Sequence, residues 1–108
     1  MRWKAITLPK ARDDYARVTA YLSGFYPGTP RRFHGEYMKT LQRLKENPRC
    51  CSPYPDNPAY RRALVGKYIV LYKIDDEQHE VHIHRILRGS WDIPGVMREA
   101  EDSAENES

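Results

Sequence analysis

Arg61, Arg62, Lys67, Arg85 and Arg88, interleaved with Tyr68 and Tyr72, are side chains whose types and spacing suit a phosphodiester. Guanidinium groups bind phosphate bidentately, and tyrosine rings accept stacked bases. The chemistry such a set could support is metal-free RNA cleavage. A base would activate the ribose 2′-hydroxyl, arginines would hold charge on the pentacoordinate phosphate, and an acid would protonate the leaving oxygen. Arg61, Arg62 and Arg88 are the catalytic candidates. All seven, with Trp91, are candidates for binding a nucleic acid or another partner. In HRILRGSWDIP, residues 84–94, Arg88 is the group most expected to meet an anionic partner. Trp91 either covers the core's edge or anchors a partner, and Asp92 caps or pins the turn after the last strand. Alternation places Arg85 with Val81, Ile83 and Leu87 unless a bulge shifts the register.

Other chemistries lack their residues. There is no GxSxG elbow, no phosphate-binding loop and no carboxylate pair at a metal-binding spacing. His82 and His84 face the same way on a strand, where imidazole could serve as a general base. No third ligand is apparent beside them, so neither a metal nor a cofactor is expected. Cys50 and Cys51 are adjacent, with no further Cys or Cys/His pair, and read as free thiols.

The elements that must position these groups follow from hydrophobic spacing. RWKAITL, residues 2–8, reads as a strand. Ala11, Tyr15, Val18, Leu22 and Phe25 then recur at helical spacing, with Arg12, Asp13, Asp14 and Arg17 expected to point mostly away. After the break YPGTP, Thr29 is the expected cap and Pro30 the first residue of a second helix, with Phe33, Tyr37, Leu41 and Leu44 on its apolar face. Asn47 and Pro48 end it. The short link implies an antiparallel helical hairpin. PRCCSPYPDNPA, residues 48–59, is a loop, and YRRALV, KYIVLYKID and EVHIHRIL follow as an antiparallel meander. The fold class is α+β in two layers: an N-terminal strand at a sheet edge, the hairpin on one face, then three strands. In KYIVLYKI one face carries Tyr68, Val70, Tyr72 and Ile74, and with Arg61, Arg62 and Lys67 it would make a basic, tyrosine-bearing surface.

Charge is divided along the chain. Residues 1–74 hold 15 Lys+Arg against 5 Asp+Glu, net +10, whereas residues 75–108 hold 3 against 10, net −7. A basic body suits an anionic partner such as nucleic acid or an acidic protein. Residues 1–98 read as one domain and 99–108, EAEDSAENES, as an acidic tail expected to be disordered. With 31% charged residues and a mean hydropathy of −0.83, and with no apolar run long enough to span a bilayer, the expected location is cytoplasmic with no membrane partner.

LPKARDDYARVTAYL, LKENP, YRRALVGKYIVLYKID and VHIHRILRGSWDIP, in that order across most of residues 3–97, resemble the RelE/ParE superfamily of toxins from bacterial type II toxin–antitoxin pairs. RILRGSWD is closer to the ParE-like branch. Arg88 stands where histidine is usual there, Ser90 and Trp91 replace a mostly basic pair, and Asp92 keeps the pattern. The resemblance implies a growth-inhibiting toxin neutralised by a cognate antitoxin. Its ParE-like side implies DNA gyrase as the target. Its RelE-like side implies mRNA cleaved on the ribosome, although no C-terminal tyrosine matches the one those nucleases use. A non-toxic nucleic-acid or protein binding module on the same fold is the third expectation.

Overall fold

The computed structural model describes residues 2–24 and 28–88. Strand β1 (Lys4–Thr7) leads into helix α1 (Pro9–Leu22) and helix α2 (Thr29–Glu46), then a single 3-10 turn (Pro48–Cys50). Strands β2 (Arg61–Val65), β3 (Tyr68–Asp75) and β4 (Glu80–Arg88) complete it, and the sheet order is β1-β4-β3-β2. β1 lies at the edge as expected. It pairs in parallel with β4, while the meander strands pair antiparallel. Gly66, at φ 60°, closes the tight β2–β3 turn, a backbone conformation that costs glycine little.

Proline starts both helices well, because a first-turn N–H has no intrahelical partner to lose. Pro9 opens α1, and Pro30 lies in the first turn of α2. The expected Thr29 cap is corrected: Gly28 occupies the cap position, Thr29 is the first helical residue, and no side chain caps the end. At the other end Asn47 stops α2, and its Oδ1 accepts the Arg49 N–H at 3.2 Å to open the 3-10 turn.

The apolar stripes meet as their spacing requires. Phe33, Tyr37, Leu41 and Leu44 of α2 and Ala11 and Val18 of α1 are buried against Val65, Val70, Val81, Ile83 and Ile86 of the sheet. Tyr15 seals the hairpin, with its ring 5.6 Å from Phe33 and 5.2 Å from Tyr37. Thr7 Oγ1 and the Tyr37 hydroxyl bond at 2.9 Å, tying β1 to α2. The expected direction of Asp14 is corrected, because it is only 5% exposed and faces the sheet. Phe25, expected on the α1 face, lies outside the described residues, as do Trp91, Asp92 and the acidic tail.

A third correction concerns the faces of β3. The face bearing Tyr68, Val70 and Tyr72 is the one the helices cover. A smaller cluster, Tyr54, Tyr60, Leu71 and Leu87 with Ile69 against it, fills the helix-free face under the loop that precedes β2. Alternation separates the two faces of a strand but carries no label for which one the helices take.

Candidate functional site

The register separates the three catalytic candidates. Arg61 pairs with Tyr72 in the middle of β3 and Arg88 with Tyr68 at its start, on opposite sides of it. Four residues of strand put them about 14 Å apart along the sheet, with two strand spacings of roughly 5 Å each across it. Arg61 is half-buried, and its Nη1 donates to the Cys51 carbonyl at 2.6 Å. Arg62 is exposed, opposite Leu71, which belongs to the helix-free cluster. Lys67 is exposed in the turn after Gly66.

Two expected partner-binding residues are committed to the interior. Tyr72 is fully buried and its hydroxyl donates to the Pro48 carbonyl at 2.7 Å, so it offers no ring face to a base. Burial pushes that hydroxyl's pKa well above its ordinary value. Arg85 donates from Nε and Nη2 to the Asp14 carboxylate at 2.7 and 3.1 Å, and the Ile86 N–H adds a third bond at 3.0 Å. The register shift opposite Leu71/Tyr72 adds one residue to β4, so that Ile86 rather than Arg85 continues the helix-covered face of Val81 and Ile83, and Arg85 reaches Asp14 from a position opposite Leu71. Pairing between β1 and β4 ends at Thr7 and Ile83, so past that point Asp14 takes the place of a strand at the β4 edge.

What the structure does assemble is a pair of adjoining grooves that share Tyr21, Tyr68 and Arg88. One, of about 520 Å³, opens between the α1 and α2 ends and the β2–β3 turn, with Arg32 and Lys67 on its rim. The other, of about 490 Å³, runs between α1 and the last residues of β4, past Arg17 and Val18. Tyr68 is 8% exposed, with its ring edge-on to Phe33 at 5.4 Å. Burial raises its pKa and the Arg88 guanidinium opposes that rise. Arg88 Nη1 lies 3.5 Å from the Tyr21 hydroxyl, at the outer limit of a hydrogen bond. Tyr21 itself is 52% exposed. No sequence signal marked it, since it falls beside the apolar stripe of α1.

The helix-free face holds a second polar group. Lys73 Nζ sits 4.5 Å from the centre of the Tyr60 ring, and His84 meets that ring edge-on at 5.2 Å. His82 Nε2 is 3.0 Å from Glu80 Oε1. Among the described residues, Asp75, Glu80 and His82 each bring one potential ligand atom within 4.8 Å of the others. Their spacing across the β3–β4 turn, rather than the His82/His84 pair, is the arrangement that could approach a cation.

Burial lowers the His84 pKa to about 4, with the charges of Lys73 and His82 adding to it. Between the ordinary value near 6.5 and that lower one, the unfolded chain binds a proton that the folded chain refuses. Stability is therefore intact above about pH 6.5 and falls as pH falls toward 4. Full linkage would be roughly 3 kcal/mol, and partial solvent access reduces it to about 1–2 kcal/mol. Urea midpoints at pH 7 and 4.5 should differ less for His84→Gln than for the native chain. Equal pH slopes would remove the assignment.

The family described as ParE toxin of type II toxin-antitoxin system, parDE, matches residues 6–93. The chain belongs to the ParE toxin family. No curated protein matches it in sequence. Among solved structures it is similar to a chain of the toxin–antitoxin complex RelBE2 from Mycobacterium tuberculosis. The TM-score is 0.61 and the identity 24%, covering 82% of this chain and 99% of that one. The likeness is one of fold, and it agrees with the two-helix, four-strand order of this ParE-family toxin. No described helix is long and apolar enough to cross a membrane.

Proposed function

We propose that this ParE-family toxin inhibits growth by binding DNA gyrase in the cytoplasm and is held inactive by a cognate antitoxin. The observation that carries the reading is the separation of Arg61 from Arg88, with Tyr72 inaccessible. The groups a sequence reading would assign to phosphodiester cleavage do not converge on one phosphate, whereas the Tyr21, Tyr68 and Arg88 grooves form a basic concavity with aromatic walls. Such a concavity fits a protein segment that combines apolar anchors with carboxylates. Arg88 is its central charge, and Arg17, Arg32 and Lys67 steer the approach.

A second reading, a ribosome-dependent mRNA endonuclease, is favoured by one observation. Lys73, His82 and His84 lie together on the helix-free face around the buried Tyr60 ring, and these three half-buried side chains are the ones RNA could reach. A binding module without toxicity is the remaining alternative. Pulse labelling after induced expression without antitoxin separates the three. The gyrase reading expects DNA synthesis to stop within minutes while translation continues. An early stop in translation with cut mRNA would replace it by the nuclease reading. No effect on either synthesis would leave the binding module.

A further inference from the structure

Asp75 ends β3 and Glu80 begins β4, directly opposite each other across the hairpin, and His82 lies two residues further along the same helix-free face. Like charges placed opposite one another on one face of an antiparallel pair destabilise it. Solvent does little to relieve them here. The Glu80 side chain is 20% exposed and that of His82 27%, and Asp75 is half-buried. Two cations of this corner are engaged elsewhere. Lys73, opposite His82, sits over the Tyr60 ring, and Arg49 donates to both carboxylate oxygens of Asp76 at 3.0 Å. Lys4, opposite Glu80 on β1, is exposed.

The hairpin is fixed before any ligand arrives. The Gln78 N–H donates to Asp75 Oδ1 at 3.0 Å, and the Lys4 N–H to the His79 carbonyl at 3.2 Å. The Trp3 ring stacks on the His79 imidazole with centres 3.9 Å apart. Rigid support of this kind is what a ligand set requires. Two donors about 2.1 Å from one ion stand about 3.0 Å apart at a right angle and about 3.4 Å at the tetrahedral angle. His82 Nε2 and Glu80 Oε1, at 3.0 Å, already meet that condition. The Asp75 donor, within 4.8 Å of both, closes on it by side-chain rotation alone.

We infer that Asp75, Glu80 and His82 form a binding site for a divalent transition ion of the zinc class, which cross-links β3 and β4 at the mouth of their hairpin. Two carboxylates balance the ion's charge. The imidazole selects it over magnesium and calcium, which take oxygen donors. Three protein donors leave a fourth position for water. The site lies at the far end of β3 from Tyr68 and the grooves it lines, so it does not rest on the gyrase reading.

Zinc chloride and the full chain at pH 7.5 test this, with Cys50→Ser and Cys51→Ser introduced together so that the thiols do not compete as ligands. Titration calorimetry should find one equivalent bound, and zinc at about 100 times its Kd should raise the melting temperature by about 10 °C. Asp75→Asn and His82→Gln, each on this background, should weaken binding about 100-fold or more, since losing a group that merely orients a metal ligand already costs about 10–100-fold. Asp75→Asn keeps the acceptor for the Gln78 N–H, so its loss of binding is not a loss of fold. Magnesium at the same concentration should leave the melting temperature unchanged. Absence of a bound equivalent, undiminished binding in Asp75→Asn, or equal stabilisation by magnesium would overturn the inference.

Discussion

Asp14→Ala should cost about 3–5 kcal/mol of folding free energy, since removing one partner of a buried ion pair leaves the other charge uncompensated. The carboxylate is only 6% exposed at its side chain and Arg85 only 14%, so water cannot replace the lost bonds. The Ile86 N–H loses its acceptor in the same step. A domain of this size has about 5–15 kcal/mol in total, and the melting temperature should fall by about 15–25 °C. Asp14→Asn, which keeps an acceptor for Ile86, should lose less. Asp14→Leu with Arg85→Met should recover much of the deficit but not the roughly 1–3 kcal/mol of the orphaned N–H. Denaturant midpoints of the four proteins decide it. A loss below about 1 kcal/mol for Asp14→Ala would show that the pair holds nothing together.

That lock marks where the sequence was legible and where it was not. The helical stripes at Ala11, Val18, Phe33, Tyr37, Leu41 and Leu44 were readable because each is apolar at helical spacing and each is buried. Asp14 lies on the same stripe, three residues after Ala11 and four before Val18. Its charge argues for solvent, and only the arrival of Arg85 from a strand 71 residues later reverses that. Ile86, whose N–H the same carboxylate accepts, takes the helix-covered face only because β4 bulges, and a bulge leaves little trace in an alternating run. Tyr68 and Tyr72 illustrate a related limit. Their common face was evident from period two, but tyrosine suits a covered face and a wet one equally well. The helices settled the matter, and Tyr72 found the carbonyl its hydroxyl needs in the loop at Pro48. Arg88 differs from all of these, because its place at the end of β4 leaves its guanidinium at a groove rather than in a lock.

Arg88→Glu should therefore abolish growth inhibition while leaving the fold intact. The guanidinium's 3.5 Å approach to the Tyr21 hydroxyl contributes little to stability, so the melting temperature should move by only a few degrees. Losing one partner of a desolvated charge contact typically costs about 2–5 kcal/mol, which weakens binding by roughly 30- to several-thousand-fold. Colony counts after induction should rise accordingly. The companion variant is Arg62→Ala with Lys73→Ala, which strips positive charge from the helix-free face and leaves the groove untouched. Under the gyrase reading this double variant stays toxic and Arg88→Glu does not. If the double variant loses toxicity and Arg88→Glu keeps it, the functional surface is the helix-free face with His82 and His84, and chemistry on RNA becomes the better account. The two surfaces flank the same sheet and carry the same sign of charge, so net charge cannot tell them apart. Only the face on which a charge is removed can.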